Sequence, residues 1–257
     1  MLAGGAQAGP ASVYLEDFTW TELRDALRAG ATTVIVPVGG TEQNGPHMVL
    51  GKHNVRVKVL AGRIAAELGK TLVAPVIAYV PEGRITPPAG HMRFPGTISV
   101  PNEAFRSILE GAARSFQQAG FRDIVLIGDS GNYQGQLQDL ALRLNREWAA
   151  SSARMHFVPE YYRSSQTPYI QALRDKGLSD TQIGTHAASA DTSLLMAVDS
   201  NGVRADRLAL AGEPGSGVAG DPRAASAVLG QIGIELIVSR SVAAIRSALA
   251  RARQPRR

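Results

Sequence analysis

No cysteine occurs among the 257 residues. Disulfides, thiolate nucleophiles and cysteine-ligated metals are therefore excluded. Any metal must be held by histidine and carboxylate, with help from amides, hydroxyls or water. Aromatic residues make up only 5% of the chain. None is interleaved with the C-terminal arginines Arg246, Arg251, Arg253, Arg256 and Arg257, which argues against a stacking nucleic-acid surface. No run of eighteen consecutive apolar residues exists, so neither a transmembrane helix nor a membrane partner is expected. No fixed-period repeat is visible.

What is present is 44% hydrophobic residues and a net charge of +5. That content is enough for one large core. The expected organisation is a single domain over 13–250, preceded by a disordered or signal-remnant segment at 1–12 and followed by a basic tail at 251–257. The tail reads as a solvated helix end, with no nucleic-acid partner. Ala6-Gln7-Ala8 resembles a signal cleavage site without its upstream apolar region, which leaves cytoplasm and periplasm both open.

Strand and helix signals alternate, as in an α/β protein with a mostly parallel central sheet and helices on both faces. The pattern predicts a helix over 17–29 with Thr19 and Glu22 as a capping box. It then predicts a strand at 33–38, a helix at 54–68, a strand at 72–80 interrupted by Pro75, and β character at 97–100. Further helices are expected at 102–119 and 136–150, with strands at 124–127 and 155–158. A helix is expected after Pro168 and another from about 184 to 198. The last, capped by Asp221-Pro222, should run to about Ala250.

The chain is organised around the stretch from Val34 to His53. A buried-strand run ends in Gly39-Gly40 and is followed by Glu42, Gln43, Asn44, His47 and His53. This places a polar cluster at the carboxyl end of a strand, where ligands bind in open α/β sheets. A second such loop, Gly128 to Tyr133, supplies Asp129. The long loop 81–96 carries His91, Arg84 and Arg93, and Gly184 to Ser193 carries His186 and Asp191. Histidine and carboxylate converging at strand ends suit a hydrolytic metal site. His156, inside a strand pattern, reads as structural. His47 reads equally as a loop tether or a substrate contact, and Asp129 equally as a helix cap or a ligand. Tyr133 and Trp148 read mainly as packing.

Gly39-Gly-Thr-Glu-Gln-Asn-Gly-Pro-His47 resembles the G-S-T-E-Q-H-G-P-H signature of the creatininase (creatinine amidohydrolase) family. The resemblance continues through Phe94-Pro-Gly-Thr-Ile98, the loop Ile124 to Tyr133, His186-Ala-Ala-Ser-Ala-Asp-Thr-Ser193 and Gly220-Asp-Pro-Arg223. It covers residues 14 to 235 in order. It implies a three-layer α/β/α fold, a homo-oligomer of hexameric form, and a one- or two-metal centre hydrolysing C–N bonds of small amides. Glu42 matches the family's first ligand. At the other ligand positions this chain carries Asn44 for histidine, His53 for the bridging aspartate, Ser130 for histidine, Asn132 for glutamate and Asp191 for glutamate. With those departures, the surviving residues suit at most one divalent ion, zinc or manganese, on Glu42, His53 and Asp129, the last one residue away from the aligned position. Glu42, His186 and Asp191 are expected to be catalytic, with His186 or Asp191 moving protons. Asn44, His47, His91, Ser130, Asn132 and Tyr133 are expected around a small-molecule substrate, and Arg84 or Arg93 at an anionic group of it. The alternatives are a metal-free relative that only binds a small ligand, and a metal-independent hydrolase or lyase.

Overall fold

The computed structural model describes residues 12–253. Residues 1–11 of the expected segment at 1–12, with its cleavage-like site, and the last four residues of the tail lie outside the described residues.

Thr19 caps α1 (Trp20–Arg28) with Glu22 as its capping-box partner. β1 (Thr33–Val38) follows, buried along its whole length. After the polar loop come α2 (Lys52–Leu68) and β2 (Thr71–Val73). The long loop leads to α3 (Asn102–Ala119), β3 (Asp123–Gly128), α4 (Gln134–Glu147) and β4 (Arg154–Phe157). Four helices then follow without a strand between them: α5 (Glu160–Gln166), α6 (Pro168–Asp175), α7 (Asp180–Ile183) and α8 (Ser189–Val198). The described chain closes with α9 (Ala227–Ala252).

The strands pair in the order β2-β1-β3-β4, all parallel. Strand alternation sorts the apolar residues onto two faces. Val34, Val36 and Val38 of β1 and Ile124 and Leu126 of β3 pack into one cluster with side chains of α1, α3 and α4. Ile35, Val125 and Ile127 point the other way, into a cluster with α2, α5, α6, α8 and α9. The three-layer α/β/α expectation is met.

Three expected elements differ. The strand expected over 72–80 stops at Val73, and only one further bridge, Val38 to Ile77, continues it. Pro75 has no N–H to donate on the outer side of this edge, where Val73 N reaches Val13 O and only a single bridge to Tyr14 forms. The β character expected at 97–100 does not form a strand. Ile98 N donates to Thr41 O and Val100 N to Val80 O, which pins the loop without building a ladder. The last helix begins later than expected. Asp221 caps a separate turn at Pro222–Ala224, and Ser226 caps α9 through Leu229 N. By length and composition α9 could cross a membrane, but it packs against α2, α5 and α8 in the core.

Candidate active site

β1 and β3 end side by side, at Val38 and Gly128. The loops that leave them meet the first turn of α2, the loop 81–96 and the segment before α8. Gly40 has φ +150°, and a Cβ there would stand 2.5 Å from Glu82 Oε1. Glycine at this point lets the loop 81–96 bring Glu82 against the polar loop.

Glu42 lies at the centre, 2% exposed. Its Oε1 accepts from His53 Nε2 at 2.8 Å and lies 3.6 Å from Lys52 Nζ. His53 Nδ1 contacts Asp129 Oδ2 at 2.6 Å. Arg56 binds the same oxygen through Nη2 at 2.7 Å and Asp191 Oδ1 through Nη1 at 2.9 Å. Lys52 Nζ reaches Asp191 Oδ2 at 3.2 Å. Tyr161 Oη donates to Asp129 Oδ1 at 2.8 Å. The floor of the site is thus a continuous line of carboxylates and cations.

This charge pattern sets the protonation states. Burial raises the Glu42 carboxyl, but the hydrogen bond and charge of His53, with Lys52 and His186, outweigh it and hold it below its ordinary value. Burial opposes ionisation of Asp191, yet Lys52 and Arg56 keep its pKa well below the carboxylate range. Burial and Lys52 push His53 down, while hydrogen bonds to Asp129 and Glu42 more than restore it, so its pKa stands above the ordinary value. Both ring nitrogens of a protonated imidazole donate, which matches its two carboxylate partners.

A second layer faces outward. Gln43 Nε2 lies 2.9 Å from His91 Nδ1, and His186 Nε2 lies 3.0 Å from Gln43 O. The two rings stack with centroids 4.4 Å apart. Gln43 thereby engages one nitrogen of each ring, donating to His91 Nδ1 and accepting from His186 Nε2. The other nitrogens, His91 Nε2 and His186 Nδ1, stand 3.5 and 3.8 Å from the Glu42 oxygens. These are too long for hydrogen bonds. The three ligand atoms lie within 4.8 Å of one another, a spacing that suits donors around one ion. Burial and Lys52 lower His186 to about 4, so its imidazole is neutral at pH 7, as a ligand must be. Half-exposed His91 leaves this side open.

The expected ligand set Glu42, His53 and Asp129 does meet, but as a hydrogen-bonded line. His53 has no nitrogen to spare, because both are committed to carboxylates. Asp191, expected to move protons, is tied to Lys52, Arg56 and Ala187 N at 3.0 Å and stays ionised. Asp129 does not cap α4, since its side chain faces His53 and Arg56. Tyr133 is fully buried: its hydroxyl donates toward Val38 O and Gly39 O and accepts from Asp129 N and Ser130 N. Asn44 and His47 are also sealed off. Asn44 Nδ2 binds Glu42 O and Val49 O, and His47 Nε2 pairs with Thr192 Oγ1 at 3.0 Å. Ser130 is buried at the end of β3. Asn132 is exposed and donates to Glu82 Oε2 at 2.9 Å. Arg84 donates to Pro87 O, and both Arg84 and Arg93 are exposed. His156 pairs with Asp123 far from the site.

Four residues escape a reading of the sequence: Gln43 as tether, Lys52, Arg56 and Glu82. Lys52 and Arg56 carried a usable signal. They fall in the first turns of α2 on the same face as Val57, Leu60 and Ile64. Cations at a helix N-terminus oppose its dipole, so two of them on the buried face imply acidic partners. Glu82 carried none.

Burial, then the charge of Glu42, pushes the Glu82 carboxyl up to about 7. A carboxyl near neutrality suits proton transfer. It also makes stability pH-dependent. The folded state holds this proton more tightly than the unfolded chain. The contribution is present below about 4.5 and lost as pH rises through about 7, amounting to about 3 kcal/mol. Chelated protein should therefore lose that much stability between pH 5 and 8, and Glu82→Gln should not. Urea denaturation at both pH values is the measurement. An unchanged pH slope in the variant would assign the dependence elsewhere.

A cavity of about 390 Å³ adjoins the site, lined by His186 and Asp191 together with Tyr169, Ile170, Ile183 and Leu194. Tyr162 stands near the same charges; burial, then the charge of Asp191, raises its phenol.

The family profile for creatininase (creatinine amidohydrolase) matches residues 16–245. A creatinine amidohydrolase from Pseudomonas putida is 28% identical over 203 residues, 77% of this chain and 76% of that protein. A 3-dehydro-scyllo-inosose hydrolase from Thermotoga maritima is 27% identical over 174 residues, 63% of this chain; the match spans 53% of that protein's length. Among solved structures, a manganese creatininase superposes with a TM-score of 0.74 at 26% identity, covering 92% of this chain and 98% of the other. A creatininase point mutant of Zn-Zn type superposes at 0.75 and 25% identity, covering 93% and 99%.

Proposed function

The chain belongs to the creatininase family, and on that premise we propose that it hydrolyses a C–N bond of a small amide or cyclic amide, with one divalent ion held by Glu42, His91 and His186. One observation carries the reading. His186 Nε2 donates to Gln43 O and so leaves the Nδ1 lone pair facing Glu42, with His91 Nε2 beside the same carboxylate. Orientation of ligands by a fixed neighbour is the usual support of a metal site.

When bound, a zinc or manganese ion there polarises a carbonyl and acidifies water. The chain's own residues do the rest. The cavity beside His186 and Asp191 receives the small-molecule substrate. Lys52 and Arg56 hold Asp191 and Asp129 ionised and still, so the floor does not rearrange as charge develops. Glu82 holds the proton that the departing nitrogen needs.

Elemental analysis of the purified protein tests the reading, with His91→Ala, His186→Ala and the remote His156→Ala alongside. The expected result is about one equivalent of zinc or manganese per chain, lost in the first two variants and kept in the third. Turnover of a panel of cyclic and linear amides should follow the metal. No uptake after loading with excess ion would overturn the metal part of the reading.

A further inference from the structure

We infer that Lys52 and Arg56 supply covalently the positive charge of the buried floor, in place of a second divalent ion such as a relative of Zn-Zn type holds. The site then takes no ion beneath Glu42. Only the ion on its open side rests on the function proposed above.

The two side chains come from one helix face, four residues apart in α2. They are 1% and 4% exposed. Arg56 spans Asp129 and Asp191, at 2.7 and 2.9 Å. Lys52 spans Asp191 and Glu42, at 3.2 and 3.6 Å. Every oxygen of Asp129 and Asp191 already has a donor. Asp129 Oδ1 accepts from Tyr161 and Arg56, and Oδ2 from His53 and Arg56. Asp191 Oδ1 accepts from Arg56, and Oδ2 from Lys52 and Ala187 N. His53, between Glu42 and Asp129, has both nitrogens in use.

Charge gives the same answer as geometry. Asp129 and Asp191 carry two negative charges, and Lys52 and Arg56 carry two positive ones. The buried layer is neutral without an added ion. A divalent cation placed there would meet an ammonium and a guanidinium at contact distance, and it would have to displace one of them to gain a ligand oxygen. The donor set therefore does not fit a second ion. The replacement differs from a metal in one chemical respect: these charges are covalently attached and cannot be chelated or exchanged.

The test counts ions per chain by native mass spectrometry after loading with Mn²⁺ or Zn²⁺. It uses the full chain, Lys52→Met and Arg56→Met, each with melting temperatures in metal and in chelator. The wild type is expected to stop at one ion. Lys52→Met, which keeps side-chain length and removes the charge, is expected to take one ion more than the wild type. Metal should also raise its melting temperature more than that of the wild type. Two ions on the wild type would overturn the inference, whether or not either variant folds. So would a folded Lys52→Met that binds no more than the wild type. A wild type with no ion and a Lys52→Met with one would support the replacement while removing the ion from the open side.

Discussion

Glu42→Gln is expected to lose both bound metal and turnover by more than the roughly 10- to 100-fold that loss of a ligand's partner costs. The substitution keeps the size of the side chain and removes its charge. Glu42 is where both layers of the site meet. One oxygen accepts from His53 and lies near Lys52 and His186 Nδ1, and the other faces His91 Nε2. An amide cannot serve all of them. Its NH₂ group must face either the His53 N–H or the histidine nitrogens that would ligate an ion, and either choice sets donor against donor or hydrogen against metal. Metal content and amide turnover should be measured on the same sample. A variant that keeps its ion and loses turnover would make Glu42 a reacting group only. One that keeps both would remove it from the site.

Arg56→Met is expected to be the most destabilising single change in this region, by about 3–5 kcal/mol, because it leaves buried Asp129 without its main partner and half-buried Asp191 with Lys52 alone. For a chain of this size that corresponds to a fall in melting temperature of about 6–20 °C. The dependence on pH has a definite sign. Asp129 and Asp191 have lowered pKa values in the folded protein. Burial opposes their ionisation in both, and the charges of Arg56 at Asp129 and of Lys52 then Arg56 at Asp191 prevail. Stability from such groups is present above about pH 4 and is lost as pH falls through their folded values. The gap between wild type and Arg56→Met should therefore be widest near neutral pH and narrow as the solution becomes acidic. Thermal denaturation from neutral pH down into the acid range below about pH 4 reads this directly. A gap independent of pH would mean that Arg56 contributes packing rather than charge.

The parts of this molecule that were legible in its sequence are those written by local pattern. β1 and α3 fall where alternation and the 3.6-residue period place them, at Thr33–Val38 and Asn102–Ala119. The loops at the ends of β1 and β3 were marked by glycines and by clustered polar residues. The edge strand was not legible, because Val76, Ile77 and Val80 are apolar for packing into the two core clusters, and of the three only Ile77 keeps a bridge to β1. Glu82 was not legible either. It lies forty residues from Glu42 in a loop whose path depends on Gly40 and on backbone bonds at Ile98 and Val100. His53 shows the limit of reading by residue type. Histidine beside carboxylates looks like a ligand, and only the positions of Glu42 and Asp129 on either side of the ring reveal that no lone pair is left.

α2 joins these two kinds of information in one element. Its first turn carries Lys52, His53 and Arg56, and the same face continues as Val57, Leu60, Ala61 and Ile64 against the core. The helix cannot dock its apolar residues without delivering its charges to Asp129 and Asp191, nor swing the charges away without opening the core. Assembly of the reaction floor is thus the same event as closure of the apolar layer. The receptor is complete on the day the chain folds, before any ion or substrate arrives to instruct it.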